Sequence, residues 1–105
     1  MEFTTNPFQR TLEVLRRDGW IKGSLHARDG TGHCIVGAMA EAALFNGFEW
    51  EGWEGWEAML LDVVAEQYDR PRLPAIGYFN DDPKTTFMDV ERVVEKAAVK
   101  WDERV

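Results

Sequence analysis

The sequence predicts a compact, mainly α-helical single domain of four helices that spans residues 1–105. The length of 105 residues is close to the commonest size of one domain. Apolar side chains, 45% of the chain, recur at helical spacing in several segments. Helix start and stop signals stand at the ends of those segments. The sequence also allows a short two-stranded hairpin near residues 24–35.

The first helix is expected over residues 7–18. Asn6 suits the N-cap, and Pro7 suits the first helical position, where a missing N–H costs nothing. Gly19 is well placed to end the helix in a left-handed conformation. The apolar side chains that recur at i, i+4 and i+7 are Phe8, Leu12 and Leu15.

The next stretch predicts a turn and then a buried helix. Four glycines punctuate residues 19–33, and the dipeptide Asp29-Gly30 is a two-residue turn signal. From residue 34 to residue 45 Glu41 is the only charged residue. A segment that is apolar on all sides is buried on all sides, so we expect the central helix here. Asn46-Gly47 then provides a stop.

A Trp-Glu-Gly unit repeats with a period of three within residues 48–57. That period favours polyproline II or a 3₁₀ turn over an α-helix, and internal glycines weaken a helix by about 1 kcal/mol each. Regular helix is expected to resume by Glu57 and to end at Arg70-Pro71. The side chains expected on its buried face are Met59, Leu60, Val63, Val64 and either Gln67 or Tyr68.

The C-terminal part of the chain predicts a connector and a final helix. Residues 73–83 form the connector, which suits either a short helix or a single strand. Thr86 followed by Asp89 fits a capping box at the start of the last helix. The apolar stripe of that helix consists of Val90, Val93, Val94, Ala97, Ala98 and Trp101.

Charge and cysteine content exclude several classes of function. The net charge is −7, and no Lys or Arg occurs from Asp29 to Asp69. Direct nucleic-acid binding and binding to an anionic membrane are therefore disfavoured, because both need clustered basic residues. The N-terminus lacks the pattern of a signal peptide, and one cysteine cannot form an intramolecular disulfide. We expect a cytoplasmic protein with no cofactor and no metal.

Cys34 is the only candidate nucleophile that the sequence suggests. It follows a glycine-rich loop and opens a helix, whose positive end favours a thiolate. In a cysteine-dependent hydrolase or transferase, His26 or His33 would be the base and Asn80 or Asp81 the orienting group. The competing interpretation, which we prefer, is a small buried residue that packs against Ala and Val.

The triplet Asn80-Asp81-Asp82 offers oxygen ligands in a row, but it lacks the alternation of an EF-hand loop. The preferred interpretation is that Asn80 or Asp81 bonds to backbone groups in a turn before Pro83.

The Trp-rich segment is the expected interaction surface. Tryptophan is enriched at binding hot spots, and exposed aromatic patches mark contact surfaces. We expect one tryptophan in the core and at least one available to a protein partner or to a second copy in a homodimer. The predicted contact residues are Phe48, Trp50, Glu51, Trp53, Glu54 and Trp56.

Several motifs together resemble a known family. They are Asp18-Gly19-Trp20-x-x-Gly23, Ala27-Arg28-Asp29-Gly30, Cys34-x-x-Gly37-Ala38 with Ala42-Ala43, and Phe79-Asn80-Asp81. The pattern is similar to that of small uncharacterised proteins from actinobacteria and their phages. The resemblance implies an origin, a phage or accessory genome, and brings no activity.

The function that we expect is a small non-enzymatic protein–protein interaction module. A phage-encoded protein of this kind would bind a host protein through its acidic, Trp-rich surface. The alternatives are the Cys34-dependent enzyme and an acidic mimic of nucleic acid.

Overall fold

The computed structural model describes residues 6–46 and 53–103. Five helices follow one another along the chain: α1 (Pro7–Asp18), α2 (Ile35–Asn46), α3 (Trp53–Tyr68), α4 (Ile76–Asp81) and α5 (Phe87–Glu103). The described residues contain no β-sheet, and their only β pairing consists of two isolated bridges. The mainly α prediction is confirmed, with five helices where four were expected.

Helix α1 has the predicted bounds, and its cap ties it to the other end of the chain. The Asn6 side chain accepts hydrogen bonds from the backbone N–H groups of Phe8 and Gln9. Its amide group donates to the carbonyl oxygen of Ala98 in α5 at 2.8 Å. Gly19 follows the helix at a φ of 103°, a conformation that suits glycine. A single cap residue therefore sets both the start of α1 and its docking on α5.

The core lies between α1, α2, α3 and α5. Helix α1 packs against both α2 and α5, and α3 packs against α5. In α2 the side chains of Ile35, Ala38, Met39 and Ala42 have no exposed surface, which confirms the predicted central helix. Burying such side chains removes apolar surface from water and supplies most of the stability of a domain of this kind.

Helix α3 begins earlier than the sequence predicts. The Trp-Glu-Gly period favoured polyproline II or a 3₁₀ turn before Glu57, yet α3 begins at Trp53 and includes Gly55, so that preference is wrong for residues 53–56. Trp56 explains the difference, because it is 5% exposed and packs edge-on against Phe8 in α1 and Trp101 in α5. Burial of an indole of this size outweighs the cost of about 1 kcal/mol for one helical glycine.

Helix α4 is the fifth helix, and it occupies the connector that suited either a short helix or a strand. Its six residues bury Ile76 and Phe79 against the core. The first amide, that of Ile76, donates to the carboxylate of Glu57 in α3 at 3.2 Å. Because Ala75 offers no side-chain cap, this carboxylate takes the place of one.

Helix α5 confirms its predicted capping box and stripe. The Thr86 N–H donates to the Asp89 carboxylate at 2.8 Å, and the Asp89 N–H donates to the Thr86 hydroxyl at 3.3 Å. The buried side chains of the stripe are Val90, Val93, Val94, Ala97 and Ala98.

Residues 19–34 form an irregular loop that takes the place of the predicted hairpin. His33 pairs with His26 in an antiparallel bridge and with Trp20 in a parallel one. The backbone of His33 therefore lies between two loop segments, and neither pairing extends into a strand. No helix among the described residues is long and apolar enough to cross a membrane.

Candidate functional site

Asn80 joins three distant parts of the chain at the end of the molecule where α2 begins. Its side-chain oxygen accepts from the Trp20 indole N–H at 2.7 Å and from the Ile35 N–H at 3.0 Å. Its amide group donates to the carbonyl oxygen of Ile21 at 3.1 Å and to the Asp81 carboxylate at 2.9 Å. All four hydrogen-bonding positions of this amide, which is 1% exposed, are used.

Asp81 and Asp82 extend this network to the surface. The Asp81 carboxylate accepts from the Gly23 N–H at 2.9 Å, and the Asn80 and Gly23 hydrogen bonds hold the pKa of Asp81 below its usual value. Asp82 accepts from the Lys84 N–H through its side chain and from Lys22 through its carbonyl oxygen. The turn prediction concerned Asn80 or Asp81. Both side chains do bond to backbone groups, but these belong to Ile21, Ile35 and Gly23, far away in the sequence, so the predicted turn before Pro83 is wrong.

A second polar chain runs through the loop. Nε2 of His33 lies 2.8 Å from the Asp18 carboxylate, and Nδ1 of His33 lies 2.8 Å from Nδ1 of His26. Arg17 contacts both oxygens of Asp18 at 2.7 Å. These contacts hold the pKa of Asp18 well below its usual range. The hydrogen bonds from Arg17 are the larger cause, and the hydrogen bond with His33 is the next. His33 is 4% exposed, whereas His26 is exposed.

The Cys34 thiol caps α2. Its Sγ accepts from the Gly37 N–H at 3.3 Å, and its carbonyl oxygen accepts from the Ala38 N–H. Burial raises the pKa of Cys34 and outweighs the opposing hydrogen bonds from backbone amides such as that of Gly37. The expectation that the helix end favours a thiolate is therefore wrong, and the preferred interpretation as a buried residue agrees with its 8% exposure.

The two histidines do not serve Cys34 in this geometry. Both ring nitrogens of His33 are taken, one by Asp18 and the other by His26. Asn80 bonds to Trp20, to Asp81 and to two backbone groups, so it orients neither imidazole. The residues proposed for a cysteine enzyme are near one another in the fold, but their hydrogen bonds do not form a nucleophile–base pair.

Gly37 allows the loop to approach α2. A Cβ at this position would collide with the carbonyl oxygen of Leu25, the same oxygen that accepts from the Cys34 N–H at 3.0 Å. The loop backbone therefore lies directly on the first turn of α2, and only glycine fits there.

Two adjoining surface depressions border α4. One, of about 250 Å³, is lined by Leu25, Val36, Gly77, Asn80 and Asp81, together with Gly23, Ser24 and Cys34. The other, of about 450 Å³, is lined by Ala75, Gly77, Tyr78, Asp81 and Asp82. They share Gly77 and Asp81 and so form one continuous surface. We call this surface the α4 face. The lining residues on which the argument below depends are Leu25, Val36, Gly77, Tyr78 and Asp81.

The structure reassigns one of the predicted contact residues. Trp56 lies in the core, as expected for one of the three tryptophans, and it offers no surface to a partner. The expectation that Trp56 is a contact residue is corrected accordingly. Phe48, Trp50 and Glu51 lie outside the described residues, as do the side chains of Trp53 and Glu54.

The acidic residues of α3 are partly balanced by cations that come from elsewhere in the chain. Glu66 forms an ion pair with Lys100 at 2.6 Å, and Asp62 lies 3.5 Å from Arg72. At Asp62 and Glu66, therefore, the acidic run of the sequence does not form an unopposed acidic face in the fold. In the described part of the chain, no group of three or more Asp, Glu, His or Cys residues is arranged to hold a metal ion.

Sequence reasoning did not single out Asp18 as a site residue, nor Leu25 and Tyr78 as surface groups. Asp18 stands in one of the motifs that carry the family resemblance, and this was the only available signal for it. Trp20, Cys34, Gly37 and Asn80 also stand in those motifs, and the fold brings them all to this end of the molecule.

Comparison with curated proteins and with solved structures yields no match to this chain. One family model does match, and it covers residues 5–100. That range includes α1, the loop, α4 and nearly all of α5, and hence the whole site described above. The chain therefore belongs to the family of unknown function DUF6197.

Proposed function

We propose that the protein is an interaction module that binds a basic protein partner through the α4 face. One observation carries the proposal. Two large apolar side chains, Leu25 at 55% and Tyr78 at 65% exposure, stand beside adjoining depressions whose described charged lining groups are both carboxylates. Exposed apolar groups beside a concave surface are typical of contact sites, and tyrosine is among the residues enriched at hot spots.

The negative charge of the α4 face favours a partner with positively charged side chains. Asp81 is ionised at neutral pH, and its hydrogen bonds with Asn80 and Gly23 lower its pKa further. Lys22 lies nearby, but its ammonium group is held by the carbonyl oxygen of Asp82 and lies 5.4 Å from the centre of the Trp20 ring. A Lys or Arg side chain of a partner suits this surface, with its aliphatic stem on Leu25 and Val36 and its charge at Asp81.

The whole chain favours the same partner. A net charge of −7 attracts basic proteins over long range and repels nucleic acid. We propose that Trp50 and Trp53 also contact the partner. A mimic of nucleic acid is less well supported, because Asp62 and Glu66 have cationic neighbours within the fold.

A cysteine-dependent activity is not supported by the geometry. The thiol has a raised pKa and caps α2, and His33 is occupied by Asp18 and His26.

The origin of the partner is a separate point. The family resemblance implies a phage or accessory genome, and we propose that the partner is a host protein in the cytoplasm.

The proposal is tested by NMR titration of the protein with acetyl-leucyl-lysyl-leucine amide. We expect saturable amide shifts at Gly23, Gly77 and Tyr78, because these residues border the depressions. The glutamyl analogue of the peptide is the matched ligand control and should cause no such shifts.

Asp81→Asn is the matched protein variant, since it keeps an oxygen that can accept from the Gly23 N–H and removes only the charge. It should weaken lysyl-peptide binding and leave the rest of the spectrum unchanged. Equal shifts with the lysyl and glutamyl peptides, or shifts confined to α5, would refute this assignment of the surface.

A further inference from the structure

The chain of contacts from Asp18 through His33 to His26 has a geometry that the interaction surface does not explain. It joins the last residue of α1, a buried imidazole and an exposed imidazole through two contacts of 2.8 Å. The rings of His26 and His33 are nearly perpendicular, with centroids 5.0 Å apart. They are the only two histidines of the protein, so any reaction or spectrum of imidazole reports on this pair.

The positions of the protons follow from these contacts. Asp18 is ionised at neutral pH because its pKa is lowered, and an ionised carboxylate can only accept a hydrogen bond. Nε2 of His33 therefore carries a proton and donates it to Asp18. In neutral His33 the other nitrogen, Nδ1, is then an acceptor, so Nδ1 of His26 must be the donor. Nε2 of His26 is left with the lone pair of a neutral imidazole.

The competing proton arrangement is a charged His33 that donates from both nitrogens. Two features disfavour it. His33 is 4% exposed, and burial penalises a charged ring. In addition, the Asp18 charge is already balanced by Arg17, which contacts both carboxylate oxygens. Glu41 in α2 also interacts electrostatically with Arg17. The loop contributes three further exposed charged residues, Lys22, Arg28 and Asp29.

We propose that Nε2 of His26 is a nucleophilic site that accepts acyl groups from activated esters and anhydrides. A neutral nitrogen lone pair on an exposed side chain is available to an electrophile. Its partner His33, backed by Asp18, can receive the proton that the reaction releases. His26, His33 and Asp18 thus form an arrangement of nucleophile, base and orienting carboxylate, in which the nucleophile is an imidazole.

With an activated ester, Nε2 of His26 is first acylated and the acyl group is then hydrolysed. Nε2 of His26 forms a bond to the acyl carbon, and the C–O bond to the leaving group breaks, with its electron pair leaving on oxygen. The proton on Nδ1 of His26 passes to Nδ1 of His33, and Asp18 stabilises the resulting imidazolium. Water then attacks the acyl-imidazole, its oxygen becomes the hydroxyl of the released acid, and its other proton passes through solvent to the oxyanion of the leaving group. His33 returns its proton to Nδ1 of His26, which restores both neutral rings. Asp18 and His33 are positioning residues in this scheme, and only His26 contacts the acyl group.

NMR of the imidazole nitrogens of the unmodified protein tests the proton arrangement without any substitution. We expect, at neutral pH, a proton on Nε2 but not on Nδ1 of His33, and a proton on Nδ1 but not on Nε2 of His26. A His33 ring protonated on both nitrogens, with the His26 proton on Nε2, would overturn the proposal. This measurement does not involve the α4 face, so its outcome is independent of the proposed function.

Reaction with diethyl pyrocarbonate, followed through the absorbance of the carbethoxylated imidazole, tests reactivity. One imidazole should react about tenfold faster than N-acetylhistidine, the other should be protected, and His26→Gln should abolish the fast reaction. Asp18→Asn retains an acceptor for His33 without the charge, and its rate should fall to that of N-acetylhistidine. A native rate no greater than that of N-acetylhistidine, or a fast rate that Asp18→Asn does not change, would refute the proposal.

Discussion

The helical core and the polar end of the molecule are stabilised in different ways. In the core, α1, α2, α3 and α5 bury apolar side chains against one another. The polar end comprises residues 19–34 and α4. There the loop of residues 19–34 has an irregular backbone, which is held by side chains such as Asn80 and His33. The difference shows that apolar packing shapes the scaffold, whereas a few buried polar groups position the surface that we propose to be functional.

The largest effect is expected from Phe8→Ala in the core. Phe8 has no exposed surface and contacts both Trp56 and Trp101. Its truncation leaves a cavity and should lower the free energy of unfolding by about 3–5 kcal/mol. Urea denaturation measures this loss. Where the variant is still folded, its lysyl-peptide binding should equal that of the parent, since the α4 face is built from other residues.

The second largest effect is expected from Asn80→Ala. It should lower the free energy of unfolding by about 3 kcal/mol, because several buried polar groups lose their hydrogen-bond partner at once. Trp20→Phe is the graded control: it removes the single 2.7 Å indole bond to Asn80 and should cost about 1 kcal/mol. Urea denaturation of both variants ranks them. An Asn80→Ala variant no less stable than Trp20→Phe would contradict the view that this amide holds the polar end together.

The pH dependence of stability reports on hydrogen-bonded carboxylates in both regions. The pKa values of Asp18, Asp81 and Asp89 are lowered in the folded protein. Their stabilisation is therefore complete above the unfolded-state pKa, about 4, and is lost as the pH falls through the folded-state values. Asp18→Asn should reduce this acid sensitivity by an amount on the order of 1 kcal/mol. Thermal unfolding between neutral and acidic pH measures it, and an unchanged slope would count against a role for the Asp18 contacts.

The smallest effect is expected for Arg16→Ala. Arg16 in α1 lies 2.9 Å from both Glu91 and Glu95 of α5, but its side chain is half-exposed. Exposed ion pairs contribute less than about 1 kcal/mol and are weakened by salt. Urea denaturation at low salt should show a small decrease in the free energy of unfolding of Arg16→Ala relative to the parent, and this decrease should become smaller at high salt. A loss as large as that of Asn80→Ala would show that surface charge, and not burial, holds α1 on α5.

The sequence was informative where local patterns decide structure. The periodicity of Phe8, Leu12 and Leu15 and the Asn6 cap predicted α1 with its observed bounds, and Thr86 with Asp89 predicted the start of α5. It was ambiguous for α4, because six residues are too few to distinguish helix from strand by periodicity.

The sequence was misleading where tertiary contacts decide structure. Local propensity argued against helix around Gly55, but packing of Trp56 on Phe8 and Trp101 extends α3 there. The site was hardest to predict, because Asn80 bonds to Trp20 and Ile35, which are 60 and 45 residues away in the sequence. No pattern within a short window of sequence contains such contacts.

The most direct test of the α4 face as the binding surface is the affinity of two matched double variants for the lysyl peptide. Leu25→Ser with Tyr78→Ser removes exposed apolar groups from this face, and Met88→Ser with Val99→Ser removes similarly exposed groups from α5. We expect binding at least about tenfold weaker for the first pair and unchanged binding for the second. Equal affinities for the two pairs, or a loss confined to the α5 pair, would show that the lysyl peptide does not bind at the α4 face.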